Sequence, residues 1–182
     1  MVNIEELLDS KRPYKGRRIS LRIDTVRLPS GRETTREIVE FPNCVAIVAI
    51  DSEENVLMVR QYRTAVGRTL LEIPAGKIEP DEQPLQAVHR ELKEETGCSA
   101  GEAKDLGGFY AGPGYSTEYL HLYLVTDLKD TGETPDGDEI MNVFRVPLAE
   151  IPALIAKGDI CDSKSVAGLL RVLSERQPRI GQ

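Results

Sequence analysis

Glu91, Glu94 and Glu95 stand three and four positions apart in the run Arg90-Glu91-Leu92-Lys93-Glu94-Glu95-Thr96-Gly97. On an α-helix that spacing gathers three carboxylates on roughly one face within little more than a turn. Exposed like charges so placed repel by about 0.2–0.5 kcal/mol per pair. One reading is a solvated acidic face, relieved by Arg90 and Lys93. The other is a divalent-metal site, because hard cations such as Mg²⁺ take carboxylate and carbonyl oxygens and keep several waters. Ala75-Gly76, at the end of an upstream strand, supplies what such a site would lack: glycine lets the backbone approach closely, and a carbonyl there would add an oxygen ligand.

The elements that must carry these residues are legible in the pattern. Leu85, Val88 and Leu92 recur at steps of three and four, Pro84 suits a first helical turn and Gly97 a stop, which predicts a helix from Pro84 to about Thr96. Before it, residues 17 to 40 read as an antiparallel hairpin turning at Pro29-Ser30-Gly31. CVAIVAI and VLMVRQYR read as a second hairpin about residues 51–55, and TLLEIP as a strand running into a Gly/Pro loop. Short strands are expected near Leu106 to Tyr110, Tyr119 to Val125 and Met141 to Val146. A small helical piece, LAEIPALIAKG, precedes a last helix from about Ser163 to Glu175 with Val166, Leu169, Leu170 and Leu173 on its apolar face. The sum is an α+β sandwich.

Composition narrows the function classes. Twenty-three Lys+Arg against thirty Asp+Glu leave 182 residues with a net charge of −7, so neither nucleic acid nor an anionic membrane is an expected partner. Cys44, Cys98 and Cys161 form no CxxC or Cys/His cluster, which argues against a disulfide framework or structural zinc and fits a reducing cytoplasm. The acidic MVNIEELLDS is unlike a signal peptide, and the run Cys44 to Ile50 is too short to span a bilayer. His89 and His121 have no Cys or His at ligand spacing and are read as packing or surface residues.

Gly76, Glu82, Arg90-Glu91-Leu92, Glu94-Glu95 and Gly97 together resemble the Nudix box, whose last position, an aliphatic, is Cys98 here. A small buried thiol packs much like an apolar side chain. VRQYR, LEIPAGKIEP and GPGYSTE resemble the ADP-ribose pyrophosphatase branch of the Nudix hydrolases, and YKGRRISLRIDTVRLPSGRETTREIVEFP is similar to the small β-domain those enzymes use to dimerise. The likeness covers roughly residues 14 to 175 and implies a Nudix α/β/α sandwich at 42–182, an N-terminal antiparallel β-domain at 1–41, and a homodimer.

What the resemblance implies for single residues is specific. Glu91, Glu95 and the Ala75 carbonyl would hold Mg²⁺, or Mn²⁺ in its place, and Glu94 a further ion. Glu82 is a weaker candidate, and Arg90 would hold the glutamates in place. Arg63 resembles the family's diphosphate-contacting arginine, Pro113 a proline fifteen residues past the box that accompanies ADP-ribose, and Arg36 or Glu37 would reach the adenine end across a dimer. The general base belongs to TPDGDEIMNV, with Glu139 favoured over Asp138 and Asp136 also available. The implied reaction is Mg²⁺-dependent hydrolysis of ADP-ribose to AMP and ribose 5-phosphate. Its rivals are hydrolysis of another nucleoside diphosphate sugar, such as a UDP- or GDP-sugar, and a catalytically silent Nudix-like binding module. With no Trp and only three Phe, base stacking falls to Tyr or an Arg plane, with Tyr14, Tyr110 and Tyr115 the candidates nearest the family motifs.

Overall fold

A computed structural model describes residues 4–132 and 142–176. The chain divides into two units, one made of the described residues up to Asn43 with Tyr110–Tyr119, the other of Cys44–Phe109 with the described residues from Leu120 onward.

The first unit is built on an antiparallel sheet in the order β1 (Glu6–Lys15), β2 (Ser20–Arg27), β3 (Glu33–Glu40). The β2–β3 hairpin is the expected one, in unbroken register from Ser20↔Glu40 to Arg27↔Glu33. β1 was not foreseen: its ten residues ELLDSKRPYK are all exposed and show no alternation. Its register with β2 slips between Leu7 and Asp9 and between Lys11 and Tyr14, the second slip spanning Pro13, which has no N–H to give the ladder.

In the second unit, β4 (Cys44–Ala49) is buried along its whole length and joins β7 (Ala75–Lys77), β9 (Tyr119–Asp130) and β8 (Cys98–Tyr110) in the order β7-β4-β9-β8. β4 lies antiparallel to β7 and parallel to β9. A second sheet has the order β10 (Asn142–Pro147), β5 (Asn55–Arg63), β6 (Arg68–Glu72). β4 and β5 therefore do not form the expected hairpin: only the bridge Ile50↔Val56 joins them before they enter different sheets. Two continuous apolar runs give no alternation from which a partner can be read.

Successive β4 side chains point to opposite faces. Val45, Ile47 and Ala49 pack with Ala87, Val88 and Leu92 of α1 (Pro84–Thr96), and Val48 faces α3 (Ser163–Arg176), giving helix, sheet and helix in layers. α1 has the expected bounds and ends on Gly97, whose φ of 69° is the left-handed stop. Leu85 is exposed, and Ala87 takes the buried position instead. A short 3₁₀ turn (Leu148–Glu150) and α2 (Ile151–Lys157) precede α3.

α3 buries Ser165, Gly168, Leu169 and Val172, while Leu170 of the expected face lies exposed. The helix turns its small residues to the sheet so that it can come close. A Cβ at Gly168 would lie 2.9 Å from Leu122 and 3.2 Å from both Ile73 and Val48. Among the described residues no helix is long and apolar enough to cross a membrane.

Candidate active site

The six residues from Glu72 to Lys77 organise the site through contacts with other elements. Glu72 receives both ends of the Arg63 guanidinium fork, at 2.9 and 2.7 Å. The Ile73 N–H donates to Ser165 Oγ at 2.8 Å, the Pro74 carbonyl accepts the Ile47 N–H at 2.9 Å, and the Ala75 N–H donates to Glu95 Oε2 at 3.0 Å. Gly76 lies directly beneath the Glu91 carboxylate, since a Cβ there would fall within 1.8–2.1 Å of its carbon and oxygens. The Lys77 carbonyl accepts Arg90 Nη2 at 2.9 Å. Glycine at 76 thus makes room for a carboxylate rather than for a turn.

Arg90 does more than pair with Glu94 one helical turn away. Its guanidinium forks onto Glu82 at 2.9 and 2.8 Å, and Nη1 reaches Glu91 at 2.7 Å and Glu94 at 3.1 Å. One half-buried cation therefore ties three glutamates and a backbone carbonyl together. Charge on Glu91 is disfavoured chiefly by burial, so its carboxyl is raised even beside Arg90. Glu95 is pushed up to about 8, first by burial, with the Ala75 N–H opposing and the charge of Glu91 adding to the shift. Glu82 is held low by its Arg90 bond.

Among the described residues, no three His, Cys, Asp or Glu side chains already converge as a metal cage. Arg90 occupies Glu91 and Glu94, and the Ala75 N–H occupies Glu95. The donor set nevertheless fits a hard divalent cation: the Glu91 carboxylate over a glycine cradle with Glu95 beside it, both with proton affinity raised by burial. A cation bound by Glu95 must displace its proton. Titration with Mg²⁺ near pH 7 should consequently release protons, so the apparent binding heat should depend on the ionisation heat of the buffer. Equal heats in phosphate and Tris would show that Glu95 takes no part.

The other expected site residues are placed as follows. Pro113 is exposed in the turn 112–115, where the Ser116 N–H donates to the Gly112 carbonyl at 2.8 Å. Arg36 on β3 pairs with Glu5, and Glu37 is exposed beside it. Asp136, Asp138 and Glu139 lie outside the described residues. His89 is exposed and His121 half-buried. Glu72, Asp162 and Lys164 were missed by sequence reasoning; the available signal was a carboxylate inside the apolar strand segment LLEIP.

Residues 40–168 match the NUDIX domain. The chain is 36% identical over 163 residues to "ADP-ribose pyrophosphatase" of Bacillus subtilis, covering 88% of each protein. It is 37% identical to "Methanol dehydrogenase activator" of Bacillus methanolicus, covering 89% of each. It is 38% identical over 170 residues to "ADP-ribose pyrophosphatase" of Mycobacterium tuberculosis, covering 92% of this chain and 82% of that one. A solved structure, "Crystal structure of ADP compounds hydrolase", shares the fold with a TM-score of 0.85 over 94% of this chain and 93% of that one, at 24% identity. Hydrolases of this family generally work with divalent metal ions. With the NUDIX match running from the end of β3 through α1 into α3, and with these relatives covered over most of their length, the chain belongs to the Nudix hydrolases.

Proposed function

We propose that this chain hydrolyses the diphosphate of ADP-ribose, giving AMP and ribose 5-phosphate. The observation that carries the reading is the segment Glu72–Lys77, which sets Glu91 and Glu95 of α1 at one end and the Arg63 guanidinium at the other. Glu91, Glu94, Glu95 and the Ala75 carbonyl would hold Mg²⁺, or Mn²⁺ in its place. The cation supplies neutralisation of the diphosphate and a more acidic water. Arg63 binds a phosphate oxygen, its planar fork matching that geometry. A water oxygen bonds to one phosphorus, the bridging P–O bond breaks, and Glu139 takes the water's proton. Arg90 keeps the glutamates together before substrate arrives.

Tyr14, Tyr110 and Tyr115 are the stacking candidates, and all three are more than half exposed. Pro113 sits two residues before Tyr115 and shapes the turn that presents it. With only Tyr or an Arg plane to stack on, base discrimination is modest. ADP-ribose should have a kcat/KM ~10-fold above UDP- and GDP-sugars, about 1.4 kcal/mol of transition-state binding. Assaying the three side by side at one Mg²⁺ concentration decides it: a better UDP- or GDP-sugar would overturn the substrate while leaving the diphosphatase chemistry. No Mg²⁺-dependent monophosphate release from any of them would favour a silent binding module.

The N-terminal sheet is proposed to pair with a second copy, which would bring Arg36 or Glu37 to the partner's adenine subsite. Ile4, Leu7 and Leu8 on or beside β1 are exposed apolar residues suited to such a face. Light scattering at micromolar concentration should give a dimer, and a fully active monomer would refute it. A cytoplasmic location agrees with three free thiols, two of them buried.

A further inference from the structure

Four charged groups of alternating sign run from α3 to Arg63. Lys164 Nζ donates to Asp162 Oδ1 at 2.8 Å and to Glu72 Oε2, and Glu72 accepts the Arg63 fork on both oxygens. The side chains of Glu72, Asp162 and Lys164 are 2%, 13% and 14% exposed, whereas Arg63 is 38% exposed. Glu72 is therefore the deepest member, Asp162 and Lys164 are largely buried, and the guanidinium is the solvent-facing end. Asp162 is itself fixed, because its Oδ1 also accepts the Ser165 N–H at 3.1 Å in the first turn of α3. The positive charges of Lys164 and Arg63 both reach Glu95 and favour its ionised form.

We propose that Lys164 is a positioning residue for substrate binding: reaching from α3, it pins the Glu72 carboxylate and so fixes the plane in which Arg63 meets the diphosphate. The inference rests on reading Arg63 as a diphosphate ligand. A carboxylate bonded only to Arg63 would still swing with it as one body, about side-chain torsions at the end of β6. The bond from Lys164 anchors that body to a second element, 92 positions away in sequence. Alternation of sign leaves no buried charge uncompensated, so rigidity is gained without an isolated ion in the core.

The test is a double-mutant cycle on binding, not turnover. The probe is α,β-methylene ADP-ribose, which keeps the diphosphate shape and resists hydrolysis, titrated calorimetrically into the full chain with and without Mg²⁺. Lys164→Ala should weaken binding ~10-fold and Arg63→Ala at least as much, while the double variant should be no weaker than Arg63→Ala alone. Lys164→Arg, which keeps a cation on Glu72, should recover binding to within ~3-fold. Additive losses in the double variant, or wild-type binding by Lys164→Ala beside an impaired Arg63→Ala, would overturn the proposal and leave Arg63 as a ligand. Wild-type binding by Arg63→Ala would instead overturn the reading of Arg63 and the inference with it. If Lys164→Ala does not fold by circular dichroism, Asp162→Asn carries the same cycle, since it keeps an oxygen for the Ser165 N–H while loosening Lys164. It should weaken binding in the wild-type background and not in Arg63→Ala; equal losses in both would overturn the proposal.

Discussion

Glu95→Gln should lower kcat by orders of magnitude and, in the metal-free chain, raise the thermal midpoint. The two effects have opposite signs because one carboxylate serves two masters. For catalysis its charge is needed to hold a cation, and an amide is a far poorer ligand for Mg²⁺. For folding the same charge is a burden: the carboxyl is buried and its acidity falls so far that it titrates at about 8. A carboxyl raised from an unfolded value near ~4.3 contributes most to stability below that value, and the contribution is lost as pH rises through about 8. At pH 7 the loss is on the order of 3 kcal/mol. Gln removes that loss and can still accept the Ala75 N–H, so a midpoint gain of several degrees is expected in EDTA. The variant's stability should also be flatter between pH 5 and 8 than the wild type's. Saturating Mg²⁺ should reverse the order, stabilising the wild type and not the variant. Retained kcat in Glu95→Gln, or a lower midpoint in EDTA, would sink the assignment. Glu91→Gln should lose activity in the same way, because the Glu91 carboxylate stands directly over Gly76, where a side chain at 76 would collide with it.

How far these residues could be read beforehand depended on whether their signal was local. α1 was legible to the residue because periodicity, Pro84 and Gly97 agree, and the carboxylates ride on that period. The pairing of Ala75 with Glu95 and the room under Glu91 follow once the loop and helix are adjacent, and Gly76 hinted at that closeness. The Glu72–Lys164 contact had no local signal, since its partners are 92 positions apart and Lys164 sits in a segment, CDSKSV, that reads as an ordinary helix start. α3 was found with its bounds nearly right but its buried face misplaced. Hydrophobicity favours Leu170, whereas close helix–sheet contact selects Ser165 and Gly168. β1 escaped because this exposed edge strand shows no alternation, its few apolar residues stand in solvent, and its pairing is supplied by β2.

Glu139→Gln should depress kcat by ~10²–10⁴-fold with much less change in KM, because a general base acts in the transition state. The described carboxylates around Glu72–Lys77 are already engaged. Glu82, Glu91 and Glu94 are tied to Arg90, Glu95 to the Ala75 N–H, and Glu72 to Arg63 and Lys164. Burial opposes charge on Glu72, yet the Arg63 bond and the Lys164 charge still hold it below the usual carboxylate range, which makes it a poor proton acceptor at neutral pH. The proposed base, Glu139, stands outside this group. β10 begins at Asn142 opposite Arg60, towards the Arg63 end of β5, and Glu139 precedes Asn142 by three positions in sequence. The acid limb of the kcat/KM profile reports the ionisation of the base in the free enzyme, so it should vanish or move in Glu139→Gln while the Mg²⁺ dependence stays as in the wild type. If Asp138→Asn is the damaging change instead, the same segment still carries the base. If both variants keep full kcat, the proton leaves by another route and the segment has no part in the chemistry.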